Sequence, residues 1–308
     1  MRRKVIIDCD VGVDDALALI FAFHSPELDI KAITAVNGNV HLNQVFENIQ
    51  KVLSLIRPKT HPLIAKGADR PLSGRPLYAH SIHGADGLGG ARLEIKEGEI
   101  FWQIYPANAD ELIIDLAEKY KEELTLIAIG PLTNLALAMK KDFKVIKKLR
   151  EIFIMGGAIG TGGNVTPSAE FNIFSDPIAA NIVFGSGIPI TLVPLDVTHQ
   201  VNLTSKYMEE KVLPIQNPFS KFIIEATGYD TNEKLFKNKE LIHLHDPLAV
   251  GVAIDPTLVE KEKLAIQVET KEGNDFGKIS KIKEGLPLDV CLKVDSKRFL
   301  DLFLSRVI

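Results

Sequence analysis

Four aspartates near the N-terminus of this 308-residue chain concentrate negative charge in one short segment. Asp8, Asp10, Asp14 and Asp15 fall within eight residues, between two apolar runs. Two carboxylates about 4 Å apart repel by roughly 4 kcal/mol at an effective dielectric of 20, so several in one dry pocket must take up protons or bind a cation. The donors in this segment are oxygens, without a His or a usable pair of Cys, and such a set favours Ca²⁺ or Mg²⁺ over zinc.

A helix N-terminus explains part of this cluster without a metal. If a strand ends at Asp8 and a helix begins at Asp15, then Asp14 and Asp15 lie where free N–H groups and the helix dipole favour anions. Asp10 falls on the connecting loop and is left unexplained. Asp246, in the stretch HLHDPLAV, precedes a second predicted helix and is either an N-cap or a distant ligand of the same ion.

A third polar group lies in the stretch GNVTPSAEFNIFSDP. Asn164, Glu170 and Asn172 are close in sequence and are surrounded by glycine and apolar residues, as expected for a pocket that binds hydroxyl groups. Met155 and Phe171 would form an apolar wall around a polyol. The alternative is a solvated loop in which the asparagines form turns.

The composition excludes several classes of partner. The formal charge is -4 with no basic block, which argues against nucleic acid and anionic membranes as partners. The N-terminal segment has only three consecutive apolar residues, and no apolar run approaches membrane-spanning length, so a cytoplasmic protein is expected. Cys9 and Cys291 cannot form a disulfide framework or a thiolate metal site, and reduced thiols are expected.

Short apolar runs alternate with segments of helical period, a pattern typical of a parallel sheet covered by helices. The predicted strands are Lys4–Asp8, Ile30–Val36, Leu124–Ile129, Glu151–Met155, Ile190–Leu195, Leu264–Glu269 and Asp289–Val294. The predicted helices are Asp15–Phe23, Leu42–Ile56, Asn108–Lys119, Thr133–Lys140, Pro177–Gly185, Phe219–Ala226, Pro247–Ala253 and Ser296–Ser305. This layout predicts an α/β fold: an open, mostly parallel, Rossmann-like sheet with helices on both faces. The polar residues that directly follow the strands should meet in one pocket at the carboxyl ends of the strands.

No linker or repeat divides the chain, so a single domain over residues 1–308 is expected. Two segments, 71–108 and 228–243, have little regular pattern. Long segments of this kind are either functional lids or disordered, and His83 and Tyr229 within them are able to contact a ligand. We interpret both segments as lids.

Seven motifs together resemble the inosine-uridine nucleoside hydrolase family. They occur in the family's order and spacing over nearly the whole chain: DCDVGVDDALAL, NGNV, HGADGLGG, IGPLTNLALA, IFIMGGA, GNVTPSAEFNIFSDPIAA and HDPLAV. The resemblance implies that Ca²⁺ is held by Asp10, Asp15, Asp246 and the main-chain carbonyl of Ile129. It also implies that the ribose hydroxyls are held by Asp14, Asn39, Asn164, Glu170 and Asn172, with Met155 against the sugar.

The implied reaction is hydrolysis of the N-glycosidic bond of a ribonucleoside. Water activated by Ca²⁺ and by Asp10 as general base would attack opposite the base, with inversion at the anomeric carbon. His245 would protonate the leaving base, and His83 and Tyr229 would contact it from the lids. A homotetramer or dimer is the oligomeric state that the resemblance implies.

Two residues depart from the family pattern. Cys9 and Val11 stand where the common signature has Thr and Pro, and Val11 gives up the fixed φ of proline, which places the rigidity of the loop in question. Purine-preferring branches stack the base between tryptophans, whereas the single Trp102 is not at a matching position. The resemblance therefore favours a branch that accepts pyrimidines or both classes of base.

Two rival functions remain open from the sequence. Asp8-x-Asp10 after a strand imitates the nucleophile motif of haloacid-dehalogenase-type phosphatases, in which Asp8 would act covalently. A Ca²⁺-dependent ribose-binding protein without catalysis would need the same carboxylates and polar side chains.

Overall fold

The computed structural model describes residues 2–95, 98–236 and 241–308. The strands are β1 Arg3–Cys9, β2 Leu28–Ala35, β3 Leu63–Lys66, β4 Gln103–Ile104, β5 Leu124–Ala128, β6 Glu151–Met155, β7 Ile190–Val193, β8 Asn202–Thr204, β9 Tyr229–Asp230, β10 Leu235–Phe236, β11 Leu241–His243, β12 Val259–Val268, β13 Ile279–Ile282 and β14 Pro287–Val294. The α-helices are α1 Val13–Phe23, α2 Leu42–Ile56, α3 His80–His83, α4 Ala109–Tyr120, α5 Thr133–Ile146, α6 Phe171–Ser175, α7 Pro177–Phe184, α8 Leu195–Thr198, α9 Ser205–Tyr207, α10 Pro218–Thr227, α11 His245–Ile254 and α12 Ser296–Val307.

Among the described residues, ten strands form one sheet in the order β13-β12-β14-β7-β6-β5-β1-β2-β3-β4. Neighbours from β14 to β4 pair in parallel, and β12 and β13 pair antiparallel at one edge. The chain builds outward from β1 through β2, β3 and β4, and then returns to place β5 on the other side of β1. The carboxyl ends of β1 and β5 therefore flank a topological switch point, where open α/β sheets bind ligands.

Helices cover both faces of this sheet, and the side chains of β1, which are apolar on both faces, explain why. Val5, Ile7 and Cys9 belong to one apolar cluster, whereas Ile6 belongs to the cluster on the opposite face. Because successive side chains of a strand point to opposite faces, an unbroken apolar run fits a strand that is buried on both sides. Helices α1, α2, α11 and α12 supply the first cluster, and α4, α5 and α7 supply the second.

The predicted fold class is confirmed, and each predicted strand and helix overlaps an observed one. Within the ten-stranded sheet the prediction missed β3, β4 and β13, which are only two to four residues long and lie at or near the sheet edges. It also missed the short strands and the helices of three to five residues outside this sheet. The two irregular segments also contain regular structure, namely α3 and β4 in the first, and a β9–β10 hairpin and strand β11 in the second. Residues 96–97 and 237–240 of those segments lie outside the described residues.

No helix within the described part of the chain combines the length and the apolarity needed to cross a bilayer. Cys9 and Cys291 are both buried and free, as expected from the sequence.

Candidate active site

The predicted site residues converge at the carboxyl ends of the central strands, where a cavity of about 710 Å³ opens. Those that line it are Asp14, Asn39, His83, Ile129, Met155, Asn164, Glu170, Asn172, His245 and Asp246. Asp10 and Asp15 are fully buried beside this wall rather than on it. Tyr229 is not brought to the cavity; it is buried in the core, with its ring 5.1 Å from the ring of Phe236.

The loop between β1 and α1 folds around its own carboxylates. Asp15, at the third position of α1, accepts hydrogen bonds from the N–H groups of Gly12 (2.8 Å) and Asp10 (3.3 Å). An acid at this position commonly bonds the N–H at the start of a helix, so helix capping explains the placement of Asp15. Asn39, from the loop after β2, donates its main-chain N–H to Asp10 (2.7 Å) and its side-chain amide to Asp15 (3.1 Å).

Four carboxylates meet at this loop, and their mutual repulsion is large. Oxygens of Asp14, Asp15 and Asp246 lie within 4.8 Å of one another, and the Asp10 carboxylate is within hydrogen-bonding range of Asp15. Burial, and next the neighbouring carboxylates, raise the pKa of Asp10 and Asp246 well above the ordinary range and that of Asp15 to about 7. None of the described residues that line the cavity is a Lys or an Arg. Such a cluster must hold protons or bind a cation.

The surroundings of Asp10 fit a hard divalent ion. Its Oδ1 is buried and has no hydrogen-bond partner among the described residues, although buried carboxylate oxygens are almost always paired. Gly38 and Gly130 pack so closely on this carboxylate that a Cβ at either position would collide with it. Ile129 lines the same cavity and has a main-chain carbonyl that can bind a metal ion. The candidate ligand atoms from the carboxylates and this carbonyl are all oxygens, as Ca²⁺ and Mg²⁺ require.

Glu170 also lines the cavity, and main-chain N–H groups hold its carboxylate in place. Its carboxylate caps α6 and accepts N–H groups from Asn172 (2.8 Å), Ile173 (3.0 Å) and Gly157 (2.8 Å). Burial raises the pKa of Glu170, and these three donors oppose that rise. The side chain is therefore fixed before any ligand binds.

Asn172 and Asn164 connect α6 to its surroundings. The Asn172 amide donates to the carbonyls of Ile129 (3.0 Å) and Met155 (3.1 Å), at the ends of β5 and β6. Asn164 accepts the N–H of Phe171 at 2.9 Å, which joins the preceding loop to the helix. Glu170 and Asn172 are buried, so a freely solvated loop does not describe them, whereas Asn164 is exposed.

Asp196 clamps the loop that carries Asn164. Its carboxylate accepts the main-chain N–H groups of three consecutive residues, Ile159, Gly160 and Thr161, at 2.8, 2.5 and 3.2 Å. The side chain thus organises the loop and does not itself line the cavity.

Histidines occupy the third side of the cavity. His83 accepts the main-chain N–H of Val13 at Nδ1 (3.0 Å), and Asp14 lies 3.9 Å from the same nitrogen. His245 begins α11, and its Nδ1 lies 2.7 Å from the hydroxyl of Thr198. Burial lowers the pKa of His245 to about 4, against a weaker opposing effect of Asp14. The His245 ring is therefore neutral, and the Nδ1 of His83, as an acceptor, carries no proton.

His199 and His243 lie beside His245, and the three rings form one group. The ring centroids of His199 and His243 lie 5.7 and 5.3 Å from that of His245, and His243 also lines the cavity. Sequence reasoning missed both residues. The motif HLHDPLAV contains a signal for His243, since two histidines in it flank one apolar residue.

Asn48, on α2, joins the first irregular segment to the carboxylate loop. It is fully buried and donates to the carbonyls of Val11 (3.2 Å) and Asp86 (2.8 Å). This contact fixes the loop at Val11, where the family's proline is missing. The sequence signal is an asparagine between Val45 and Ile49 on the apolar face of an amphipathic helix.

Asp8 connects the ends of strands β1 and β2 and does not line the cavity. It is fully buried, lies outside the cavity wall, and accepts hydrogen bonds from Thr34 (2.5 Å) and Asn134 (2.8 Å). Asn134 in turn binds the main chain at Ala35 and Ala68, so this network holds the ends of β1 and β2 together. An enclosed carboxylate of this kind is badly placed to attack a phosphate ester, which argues against the phosphatase interpretation.

Comparisons with known proteins agree with this site. A family model described as inosine-uridine preferring nucleoside hydrolase matches residues 5–301. A pyrimidine-specific ribonucleoside hydrolase of Photobacterium profundum is 36% identical over 100% of this chain and 99% of its own length. An inosine-uridine preferring nucleoside hydrolase of Leishmania major is 34% identical over 87% and 84% of the two chains.

Solved structures give the same result. A plant nucleoside hydrolase superposes with a TM-score of 0.90 at 33% identity, covering 100% of this chain and 99% of its own. A purine-preferring ribonucleoside hydrolase from Gardnerella vaginalis superposes with a TM-score of 0.87 at 33% identity, over 99% and 98%. The chain therefore belongs to the inosine-uridine preferring nucleoside hydrolase family and is an enzyme of this type.

Proposed function

We propose that the protein hydrolyses the N-glycosidic bond of ribonucleosides to free base and ribose, with Ca²⁺ as its resident ion. The observation that carries this proposal is one cavity in which clustered carboxylates, a fixed polar wall and neutral histidines face one another. The relatives named above act on pyrimidine nucleosides, on inosine and uridine, or on purine nucleosides.

The ion would be held by Asp10, Asp15, Asp246 and the Ile129 carbonyl, and Asp14 lies within reach of the same position. When bound, Ca²⁺ would supply positive charge that offsets the carboxylates, and it would lower the pKa of a water beside it. We favour Ca²⁺ over Mg²⁺ because a carbonyl and several carboxylates from distant segments suit the larger, more flexible coordination shell.

Asp10 is the proposed general base. Its Oδ2 accepts the N–H of Asn39, and its buried Oδ1 has no hydrogen-bond partner among the described residues. This oxygen would contact the ion and take the proton of a water beside it. Water delivered from this side attacks the face of the ribose opposite the base, so the anomeric carbon is inverted. Positive charge that develops on the ribose is stabilised by the surrounding carboxylates.

The remaining residues position the substrate. Asp14, Asn39, Asn164, Glu170 and Asn172 are the proposed partners of the ribose hydroxyls, and Met155 packs against the sugar. His245 assists the departing base, and His83 contacts it from the segment 71–108. We propose that this segment and 228–243 act as lids of a single-domain enzyme; a contact of Tyr229 with substrate stays a prediction.

We propose pyrimidine or mixed specificity for the base. The one tryptophan, Trp102, is buried and does not line the cavity, so a tryptophan sandwich for purines is missing from the described wall. His83, His243 and His245 instead offer hydrogen-bonding groups to a base.

The test is to incubate the protein with uridine, cytidine, inosine, adenosine and guanosine and to quantify free base and ribose. We expect release of base from uridine, and α-ribose as the first anomer seen by rapid NMR. A protein that binds these nucleosides and releases no base would instead be a ribose-binding protein. Sedimentation of the same sample tests the expected homotetramer or dimer.

A further inference from the structure

The hydroxyl of Thr198 makes one contact that the proposed reaction does not yet explain. Thr198 is fully buried at the end of α8, and His245 Nδ1, 2.7 Å away, is its one side-chain partner within the described residues. A hydroxyl can donate to this nitrogen or accept from it, and the two choices place the ring proton on different atoms.

The surroundings of Thr198 decide between these choices. A helical threonine usually donates to the carbonyl four residues before it, which here is Pro194. That carbonyl already accepts the N–H groups of Val197 (3.0 Å) and Thr198 (3.1 Å), so both of its lone pairs are used. If the hydroxyl accepted from His245, its own hydrogen would be buried without an acceptor, which is costly. The hydroxyl therefore donates to Nδ1.

This direction of donation sets the tautomer of the ring. A neutral imidazole whose Nδ1 accepts carries its proton on Nε2. His245 lines the cavity, and its Nε2 has no hydrogen-bond partner among the described residues. His83 shows the same arrangement by a different route, since its Nδ1 accepts a main-chain N–H from Val13. In both rings the hydrogen-bonding partner of Nδ1 therefore places the proton on Nε2.

We propose that Thr198 is a positioning residue that fixes His245 as the Nε2–H tautomer, so that an N–H group faces the departing base. This inference rests on the proposed nucleoside hydrolysis. Cleavage breaks the bond between the anomeric carbon and the base nitrogen, and the electron pair leaves with the base. The Nε2–H group hydrogen-bonds the base as it gains this charge; water gives its hydroxide to the ribose and one proton to Asp10, and the released base takes up one proton from solvent.

The discriminating experiment compares two leaving groups. The enzyme and its Thr198→Val, Thr198→Ala and Thr198→Ser variants are assayed with uridine and with p-nitrophenyl β-D-ribofuranoside, each with Ca²⁺ present. p-Nitrophenolate is stable as an anion and needs no hydrogen bond to depart, whereas the uracil anion is stabilised by one.

For Thr198→Val and Thr198→Ala we expect kcat on uridine to fall by about 10- to 100-fold with little change in KM, because one oriented hydrogen-bond donor is lost. Turnover of the p-nitrophenyl riboside should change by less than about threefold, and Thr198→Ser should retain activity on both substrates because it keeps the hydroxyl. Val preserves the buried shape and Ala adds no bulk, so at least one of the two variants should fold, as checked by thermal melting.

An equal loss on both substrates would show that Thr198 only supports the fold, and unchanged activity on uridine would show that the tautomer does not need it. Either result overturns the inference while leaving nucleoside hydrolysis intact. If the unmodified enzyme releases no base from any nucleoside, the proposed function itself fails, and this inference fails with it.

Discussion

Replacing Glu170 with glutamine should weaken both the fold and substrate binding, and the hydrogen bonds of the carboxylate give the size of the effect. One oxygen, Oε2, accepts the N–H groups of Gly157 and Ile173, and the other, Oε1, accepts that of Asn172. In the better orientation of Gln, its oxygen serves Gly157 and Ile173, and its NH₂ group faces the N–H of Asn172. One buried donor then has no acceptor.

The expected loss of stability follows from this arrangement. Leaving one buried N–H unpaired costs about 1–3 kcal/mol, and weakening two charge-assisted bonds adds about 1 kcal/mol. The unfolding entropy of a chain of 308 residues is about 0.65 kcal/mol per kelvin, so a loss of about 2–4 kcal/mol lowers Tm by roughly 3–6 °C. Loss of the charged partner for a ribose hydroxyl should raise KM by about 10- to 100-fold.

Asp176→Asn is the matched control. Asp176 is also fully buried and accepts two main-chain N–H groups, from Leu72 (2.6 Å) and Ala179 (3.1 Å), and the hydroxyl of Thr133 (2.7 Å). It lies outside the cavity wall, so its replacement should lower Tm by a similar amount and leave KM unchanged. Differential scanning calorimetry and steady-state kinetics on uridine measure both effects. If Glu170→Gln melted like the unmodified protein, or if both variants raised KM equally, the assigned role of Glu170 would be wrong.

Three further changes test the rest of the site. Asp10→Asn should lower kcat by about 10²–10⁴-fold with the fold retained, since the general base is lost. Circular dichroism checks the fold and steady-state kinetics measure kcat; a folded variant with full activity would contradict the role of Asp10. Chelation should lower Tm by more at pH 8 than at pH 5. Burial and neighbouring carboxylates raise the pKa of Asp15 to about 7 in the metal-free folded protein, above the value near 4 in the unfolded chain. The stability of the metal-free protein is therefore highest below pH 4, where Asp15 is protonated in both states, and it falls as pH rises through about 7. A Tm difference independent of pH would contradict this explanation. Asn48→Ala removes the bonds to Val11 and Asp86, so proteolysis within 71–108 should become faster by several-fold, whereas Gln44→Ala, which removes only a contact to Asn48 itself, should have little effect.

The short-range features of this protein are encoded locally in its sequence. The run Val5–Ile7 has to be a strand buried on both faces, and Asp15 is placed by the N–H groups at the start of its own helix. Glu170 similarly caps the helix that follows it within three residues. Because these arrangements depend on neighbours in the chain, periodicity and capping rules predicted the strand and the placement of Asp15. The short helix that Glu170 caps was not predicted, although its cap is equally local.

Contacts between distant segments were decided only by the tertiary structure. Asp246 meets Asp14 because α11 packs beside α1, and the hydroxyl of Thr198 reaches His245 across 47 residues of chain. Tyr229 is a residue type that often contacts ligands, but it lies in the core. Asn48 is polar on an apolar helix face, and only the structure shows the two carbonyl groups to which it donates. A polar side chain's type specifies what it can bind, whereas the partner that it finds depends on which helices the sheet order brings together.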